Sequence, residues 1–253
     1  MNKANQIEDL NRKVIACIRC RLSDTRINAI PGEGSIYSDL MLIGQAPGKE
    51  EDRSGKMFIG PSGKVLDKLL KDIGIQREEF YMTNLLKCML PKSRKPRHDE
   101  IDMCTSLYLM NEIEIVNPKV LIPLGYHSTK TILKTYELPV PNKHNFPDLF
   151  GKMILAKNQK ILPLRHPAAV VHKSSNYDKL LSNYRKITIL RKTCKWFQVC
   201  PIKTFYDKGK LPKEWIDKYC KGDWASCIRY KLEEKYIPHP DNLLPDGSKD
   251  HNL

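Results

Sequence analysis

One stretch constrains the fold more than any other: an apolar run, Leu40 to Ile43, that stops abruptly at Gly44, Pro47 and Gly48. Four apolar residues bounded by turn residues predict a buried strand. The glycines let the backbone turn tightly and bring N–H groups close to whatever sits at the carboxyl end of that strand. A loop of mixed charge is expected next, with Gly55, Gly60 and Gly63 enclosing Met57, Phe58 and Ile59. Val65, Leu66, Leu69 and Leu70 then have helical spacing. Strand, glycine turn and helix make a small-ligand site at the edge of a parallel sheet. Phe58 either plugs the core or offers a flat face to a ring. The stretch is not a phosphate loop, because Lys64 is followed by Val65 rather than Ser or Thr.

The rest of the chain repeats the alternation. An amphipathic helix is predicted over residues 5–16. Residues 27–38 read as loop. A second strand runs from Phe80 to Asn84, followed by a basic loop of Lys87, Lys92, Arg94, Lys95 and Arg97. Asp99 caps a predicted helix from Glu100 to about Val116. A third strand lies between Lys119 and Gly125. One strand pair, or a strand with a turn at Asn158 and Gln159, covers 152–164. A helix begins near Pro167, and another spans about Tyr177 to Leu190. These elements predict a three-layer α/β/α fold on a mainly parallel sheet. After Leu190 the composition changes, and 191–253 reads as a small Cys-rich module beside a 1–190 domain, its last stretch from Pro238 wrapped on the surface or frayed.

The chain has 253 residues and a net charge of +14, shared by both parts. A basic protein of this kind suits a phosphate-rich partner, through counterion release. No apolar run approaches the ~20 residues of a membrane span, and the first residues do not begin a signal peptide. A cytoplasmic protein with no membrane partner is expected. Eight cysteines in such a compartment are not expected to form disulfides. They fall into two fours, Cys17, Cys20, Cys88 and Cys104, then Cys194, Cys200, Cys220 and Cys227. Two segregated fours suggest two metal sites. Thiolate spacing alone leaves zinc, iron–sulfur and unligated thiols open.

The motifs Gly44-Gln-Ala-Pro-Gly48, Glu50-Glu-Asp52, Gly55-Lys-Met-Phe-Ile-Gly60 with Ser62-Gly63, Asn84 with Lys87-Cys88, and His166-Pro167 occur in that order. Over about residues 10–190 the chain resembles the uracil-DNA glycosylase superfamily, specifically its iron–sulfur branch, family 4. The resemblance implies a 4Fe–4S cluster on Cys17, Cys20, Cys88 and Cys104. It implies an enzyme of base excision repair that flips a deaminated base out of DNA and hydrolyses its N-glycosidic bond. Phe58 would stack on the base, and Asn84 would read O4 and N3–H of uracil. His166 would donate to O2 as the leaving base gains charge. Gln45 and Ala46 would line the site and hold the attacking water, and Glu51 would crowd the methyl of thymine. Ser93 would lie near the base. Lys92 and Arg94 would grip phosphates, and Arg165 or the residues after His166 would fill the gap left by the flipped base. The second four, outside the match, would hold another 4Fe–4S cluster or zinc. The partner would be uracil-containing DNA, and the protein a monomer.

Two departures separate the chain from the family pattern. Gln45 stands where family 4 has Glu, and an amide orients a water without taking its proton. Ser93 stands where many relatives have Asn. The rival readings are a nucleic-acid or modified-base binding protein with weak hydrolysis, and an iron–sulfur redox or sulfur-transfer enzyme acting on RNA. Taken alone, His166 reads as a capping or core histidine and Asn84 as a cap.

Overall fold

The computed structural model describes residues 2–253 except 157–158, 172–173, 191–193, 195, 198, 222–223 and 225. It divides into two compact units, Met1–Lys186 and Ile187–Leu253. The turn expected at Asn158 lies outside the described residues.

In the first unit, helix α1 (Lys3–Ile15) precedes strand β1 (Glu33–Gly34) and strand β2 (Leu40–Gly44). Helices α2 (Lys49–Ser54) and α3 (Pro61–Asp72) lead to β3 (Phe80–Asn84). Helix α4 (His98–Cys104) runs through a π-helical stretch, Thr105–Leu109, into α5 (Met110–Val116). Strand β4 (Val120–Pro123), helix α6 (Gly125–Thr135), strands β5 (Ile154–Ala156) and β6 (Gln159–Ile161), and helix α7 (Tyr177–Tyr184) complete the unit.

The sheet order is β1-β3-β2-β4-β6-β5. The inner pairs are parallel, and β1 and β5 close the edges antiparallel. All residues of β2, β3 and β4 are buried, as a sheet covered on both faces requires. Met41, Ile43, Tyr81, Leu121 and Ile161 pack with Ile7 of α1, Ile113 of α5 and Ile132 of α6. On α3, Leu66, Leu69 and Leu70 are buried, and its last residue, Asp72, accepts a 2.8 Å bond from the Tyr177 hydroxyl of α7. Helices therefore form layers on both sides of the sheet. From β2 the chain goes to β3 on one side. From β4 it goes to β6 on the other. A crevice opens at the carboxyl ends where the connections diverge, the usual ligand site of such sheets.

Four local readings change. The loop of mixed charge contains α2, which Gly48 begins and Gly55 ends in the left-handed region at φ 73°. Its first turn carries Glu50, Glu51 and Asp52, which suit the positive end of a helix. The loop over 27–38 contains β1, too short and polar to show a period. The helix expected to begin after Asp99 begins at His98, with the Glu100 carboxylate accepting from Arg97 N–H at 2.9 Å. Where a helix was expected to begin at Pro167, the described residues form a short 3₁₀ turn, Pro167–Val170, and a second one, Ser174–Asn176, before α7.

The second unit contains helices α8 (Pro201–Asp207), α9 (Lys213–Trp215) and α10 (Ile228–Glu233). Its core is small: Ile202, Leu211, Ile216, Cys220 and Leu244. The last stretch from Pro238 is wrapped on the surface, mostly exposed, but anchored at its middle. Leu243 and Leu244 are buried, and Arg229 Nη1 donates to the carbonyls of Pro240, Asp241 and Leu243. Among the described residues, no helix is long and apolar enough to cross a membrane.

Candidate active site and cysteine centre

The crevice holds a cavity of about 300 Å³ lined by Ala46, Glu51, Phe58, Asn84 and His166, with Pro47, Gly48 and Gly60. Parallel pairing sets Gly44 opposite Asn84 at the ends of β2 and β3. A Cβ on Gly44 would lie 2.1 Å from Asn84 Oδ1 and 3.0 Å from Phe58 Cζ. That glycine therefore makes room for both functional side chains. Phe58 has φ 49°, a conformation that costs a non-glycine residue of the order of 1 kcal/mol and persists only where its surroundings hold it. Gly63 is part of what holds it, since a Cβ there would lie 1.8 Å from the Phe58 carbonyl oxygen. Arg77 is another part, with Nη1 donating to that same oxygen at 3.0 Å.

Asn84 is buried, with Nδ2 donating to Met57 Sδ at 3.4 Å. Glu51 is buried in the first turn of α2, and its Oε1 accepts from Gly60 N–H at 2.8 Å. His166 arrives from the far side of the crevice. The chain past β4 and β6 continues as a parallel bridge, Leu124 to Leu164, and His166 follows two residues later. Its Nδ1 accepts from Ala168 N–H at 3.1 Å. The proton of a neutral ring then sits on Nε2. Burial lowers the His166 pKa to about 4, opposed by the nearby Glu51 carboxylate. The imidazole is neutral at pH 7 and is a donor without charge.

The other predicted residues lie elsewhere. Gln45 follows β2, and its carbonyl accepts from Leu86 N–H at 3.0 Å, but it does not line the cavity. Lys92 and Ser93 are exposed, both at φ 53°. Arg94 is tied by both terminal nitrogens to the buried Glu100. Arg165 lies over the Phe150 ring, 5.1 Å from its centroid.

Lys87 is the clearest correction. It was read as part of the basic loop, but it is 1% exposed. Its Nζ donates to Glu112 Oε2 at 2.6 Å, to Thr83 Oγ1, and to the Asn84 carbonyl at 3.2 Å. Glu112 also accepts from Gly32 N–H and the Thr83 hydroxyl. This buried network fixes the end of β3, where Asn84 sits. Residue type announces a charge, not its burial, so the sequence carried no signal. A second omission is a basic groove of about 460 Å³ lined by Lys95, His98, His127, Lys130 and Lys134 among others. Lys130 and Lys134 share one face of α6, a spacing visible in the sequence.

Cys17, Cys20, Cys88 and Cys104 all line one cavity, with Leu22, Leu86 and Tyr108. None of the eight cysteines is in a disulfide. Arg26 Nη1 donates to Cys88 Sγ at 3.1 Å, and Lys87 N–H to Cys104 Sγ at 3.4 Å. Burial pushes the Cys104 thiol up to about 12 and raises Cys88, against the Arg26 charge. Such thiols ionise only when something cationic binds them. Among the described residues, no three potential ligands are gathered for a single metal ion. Four converging thiols, with donors already aimed at two of the sulfurs, fit a polynuclear iron–sulfur centre, in which each thiolate takes its own iron.

A family model described as the uracil DNA glycosylase superfamily matches residues 31–198. The type-4 uracil-DNA glycosylase of Sulfurisphaera tokodaii is 35% identical over 224 residues, 87% of this chain and 97% of the relative. That of Saccharolobus solfataricus is 38% identical over 194 residues, 74% of this chain and 86% of the relative. That of Archaeoglobus fulgidus is 32% identical over 187 residues, 72% and 91% of the two chains. The first unit ends at Lys186, so the Sulfurisphaera match must extend into the second unit.

Proposed function

The chain belongs to the uracil-DNA glycosylase superfamily, and from that premise we propose that it excises uracil from DNA by hydrolysing the N-glycosidic bond, as a base-excision repair enzyme. The observation that carries the reading is the single cavity lined by Phe58, Asn84 and His166, residues brought together from separate parts of the sequence.

Each has a role its surroundings support. The base, flipped from the helix, stacks on Phe58, whose held backbone leaves the ring little freedom to retreat. Asn84 offers its Nδ2–H to O4 and its Oδ1 to N3–H. Cytosine presents the reverse pattern and leaves both atoms mismatched. As the glycosidic bond breaks, charge collects on uracil O2. His166 Nε2–H donates to that oxygen, and the Ala168 N–H on Nδ1 keeps the donor proton on the correct nitrogen. Glu51, fixed by Gly60, closes the cavity where the methyl of thymine would enter. Water is oriented by the backbone turn after β2 where it reaches the cavity, at Ala46 and Pro47. With no carboxylate at Gln45 the step depends on stabilising charge rather than on removing the water's proton.

DNA phosphates meet Lys92 and the groove of Lys95, Lys130 and Lys134. Arg94, neutralised by Glu100, shapes the loop, and Arg165 stands by the gap in the duplex. Cys17, Cys20, Cys88 and Cys104 hold a 4Fe–4S cluster that, when bound, ties α1 and α4 to the chain after β3. The chain acts as a monomer in the cytoplasm.

The test is incubation with a uracil-containing oligonucleotide, scored for abasic sites under single turnover. Abasic sites that appear with uracil and not with cytosine or thymine are expected. Tight binding without abasic sites, reversed by Gln45→Glu, would instead make the protein a reader of damaged DNA.

A further inference from the structure

We propose that the second unit is built around its own four-cysteine iron–sulfur cluster, held by Cys194, Cys200, Cys220 and Cys227, with Arg229 as its buried countercharge. All four sulfur-bearing residues line one cavity, although they come from three stretches of chain. The backbone joins the first stretch to the second, with Cys194 N–H donating to the Cys220 carbonyl at 2.6 Å. The rest of the wall is largely apolar, including Phe197, Ile202, Tyr219 and Trp224. No histidine lines it, and beside the single carboxylate of Glu233, which meets His239 Nε2 at 3.1 Å, the donors on offer are four soft thiolates, which suit iron–sulfur clusters and zinc.

Arg229 supplies the independent observation. It lines the same cavity and is 3% exposed. A guanidinium does not lose its proton, so its charge is buried with it. Its Nη1 meets three backbone carbonyls, but Nε has no partner. Among the described residues no carboxylate forms an ion pair with it; Glu233, which lines the same cavity, pairs with His239 instead. A buried charge without a counter-ion is costly. Four thiolates on a dipositive centre carry a net charge of about −2, the missing partner on the cavity side. In the first unit a guanidinium likewise stands at the cysteine cavity, where Arg26 Nη1 donates to Cys88 Sγ.

Zinc takes four thiolates on one ion at about 2.3 Å, whereas a 4Fe–4S cluster takes each thiolate on its own iron. The second four line one cavity, as the first four do, and the metal content of the chain separates the two centres.

The decisive measurement is metal content of the full chain purified without oxygen, which requires no variant to fold. About eight irons and eight sulfides per chain are expected, with no zinc. Cys200→Ser with Cys220→Ser should halve both, and Cys88→Ser with Cys104→Ser should remove the other half. About four irons plus one zinc, the zinc lost in the Cys220 variant, would overturn the proposal in favour of a zinc module. About four irons, no zinc and no change in the Cys220 variant would overturn it in favour of plain thiols. Arg229→Gln, folded by circular dichroism, should shift the reduction midpoint of one cluster only. Two unchanged midpoints would remove Arg229 from the site. Neither readout depends on uracil excision.

Discussion

The two units set four thiols around a cavity with unequal support. In the first, the sulfurs ride on elements that other forces already hold. Cys17 and Cys20 follow α1, Cys88 follows β3, and Cys104 ends α4. Leu10, Val14, Leu22, Leu86, Ile101 and Tyr108 pack among them. Cys88 is one of nine buried residues in that cluster, whereas in the second unit Cys220 is one of only five among the described residues, with Cys200 packed against them. A unit of this size buries too little apolar surface to be secure without a staple. The first unit holds its cysteines in place; with the proposed cluster bound, the cysteines of the second would hold the unit.

The largest expected effect follows directly. Stripping metal with chelator and oxidant should unfold the second unit, since structural metal binding contributes on the order of 10 kcal/mol to such folds. The sheet of the first unit should survive. Hydrogen exchange read by mass spectrometry checks both at once. If amides of α8 and α10 stay as protected as those of β2 to β4, the contrast between the units fails.

Within the first unit the strongest single dependence should be the Lys87–Glu112 pair, and it should be smaller. Lys87→Met leaves Glu112 buried without its cation, at a cost of about 3–5 kcal/mol. Lys87→Met with Glu112→Gln should recover part of that loss, because the uncompensated charge is gone. Denaturant midpoints of the single and double variants decide it. Equal midpoints for the single variant and the parent would mean the pair does not fix the end of β3.

That pair also shows where sequence reasoning stops. The parallel strands were legible because a sheet buried on both faces must be written as unbroken apolar runs, as in Leu40 to Ile43 and Val120 to Ile122. The edge strand β1 was not, because its two residues take their conformation from pairing with Tyr81 and Met82. Helix α2 was hidden by its charges, which are favourable only once Gly48 has started the helix. The π-helical stretch after Cys104 has no sequence pattern. In the pocket, Phe58, Asn84 and His166 each had an ordinary structural reading. Only the order of the motifs joined them, because spatial convergence of residues 58, 84 and 166 is set by strand order. Glu112 lies 25 residues from Lys87, on another element, and nothing local links them.

The pocket itself should respond next. His166→Ala should lower kcat about 10²- to 10³-fold with binding of uracil-DNA little changed, the loss typical of one donor to a developing oxyanion. Asn84→Asp should impair the choice of uracil over cytosine, since the amide donor to O4 is gone. Abasic-site formation under single turnover reads both. An unchanged rate for His166→Ala would leave the cavity as a binding site only. Both variants should keep the full iron content, which separates the pocket from the thiols.

The smallest effect is one of pH, and it distinguishes a neutral donor from a charged one. Burial holds His166 at about 4, whereas the unfolded chain titrates near 6.5. Above 6.5 neither state binds the proton, and stability is whole. As pH falls the unfolded chain takes it up first, so stability drops progressively until the folded ring protonates near 4. The slope from this one group is bounded by about 1.4 kcal/mol per pH unit and should be less, because the ring is only partly buried. His166→Gln should flatten that part of the curve between pH 6 and 4. Excision should behave differently from stability. A neutral Nε2–H donor leaves the rate level from pH 6 to 8, while an imidazolium donor would make the rate fall as pH rises through 6.5. An alkaline fall centred there, absent in His166→Gln, would mean that DNA binding recharges the ring, and that the pocket works by ion pairing rather than by a neutral hydrogen bond.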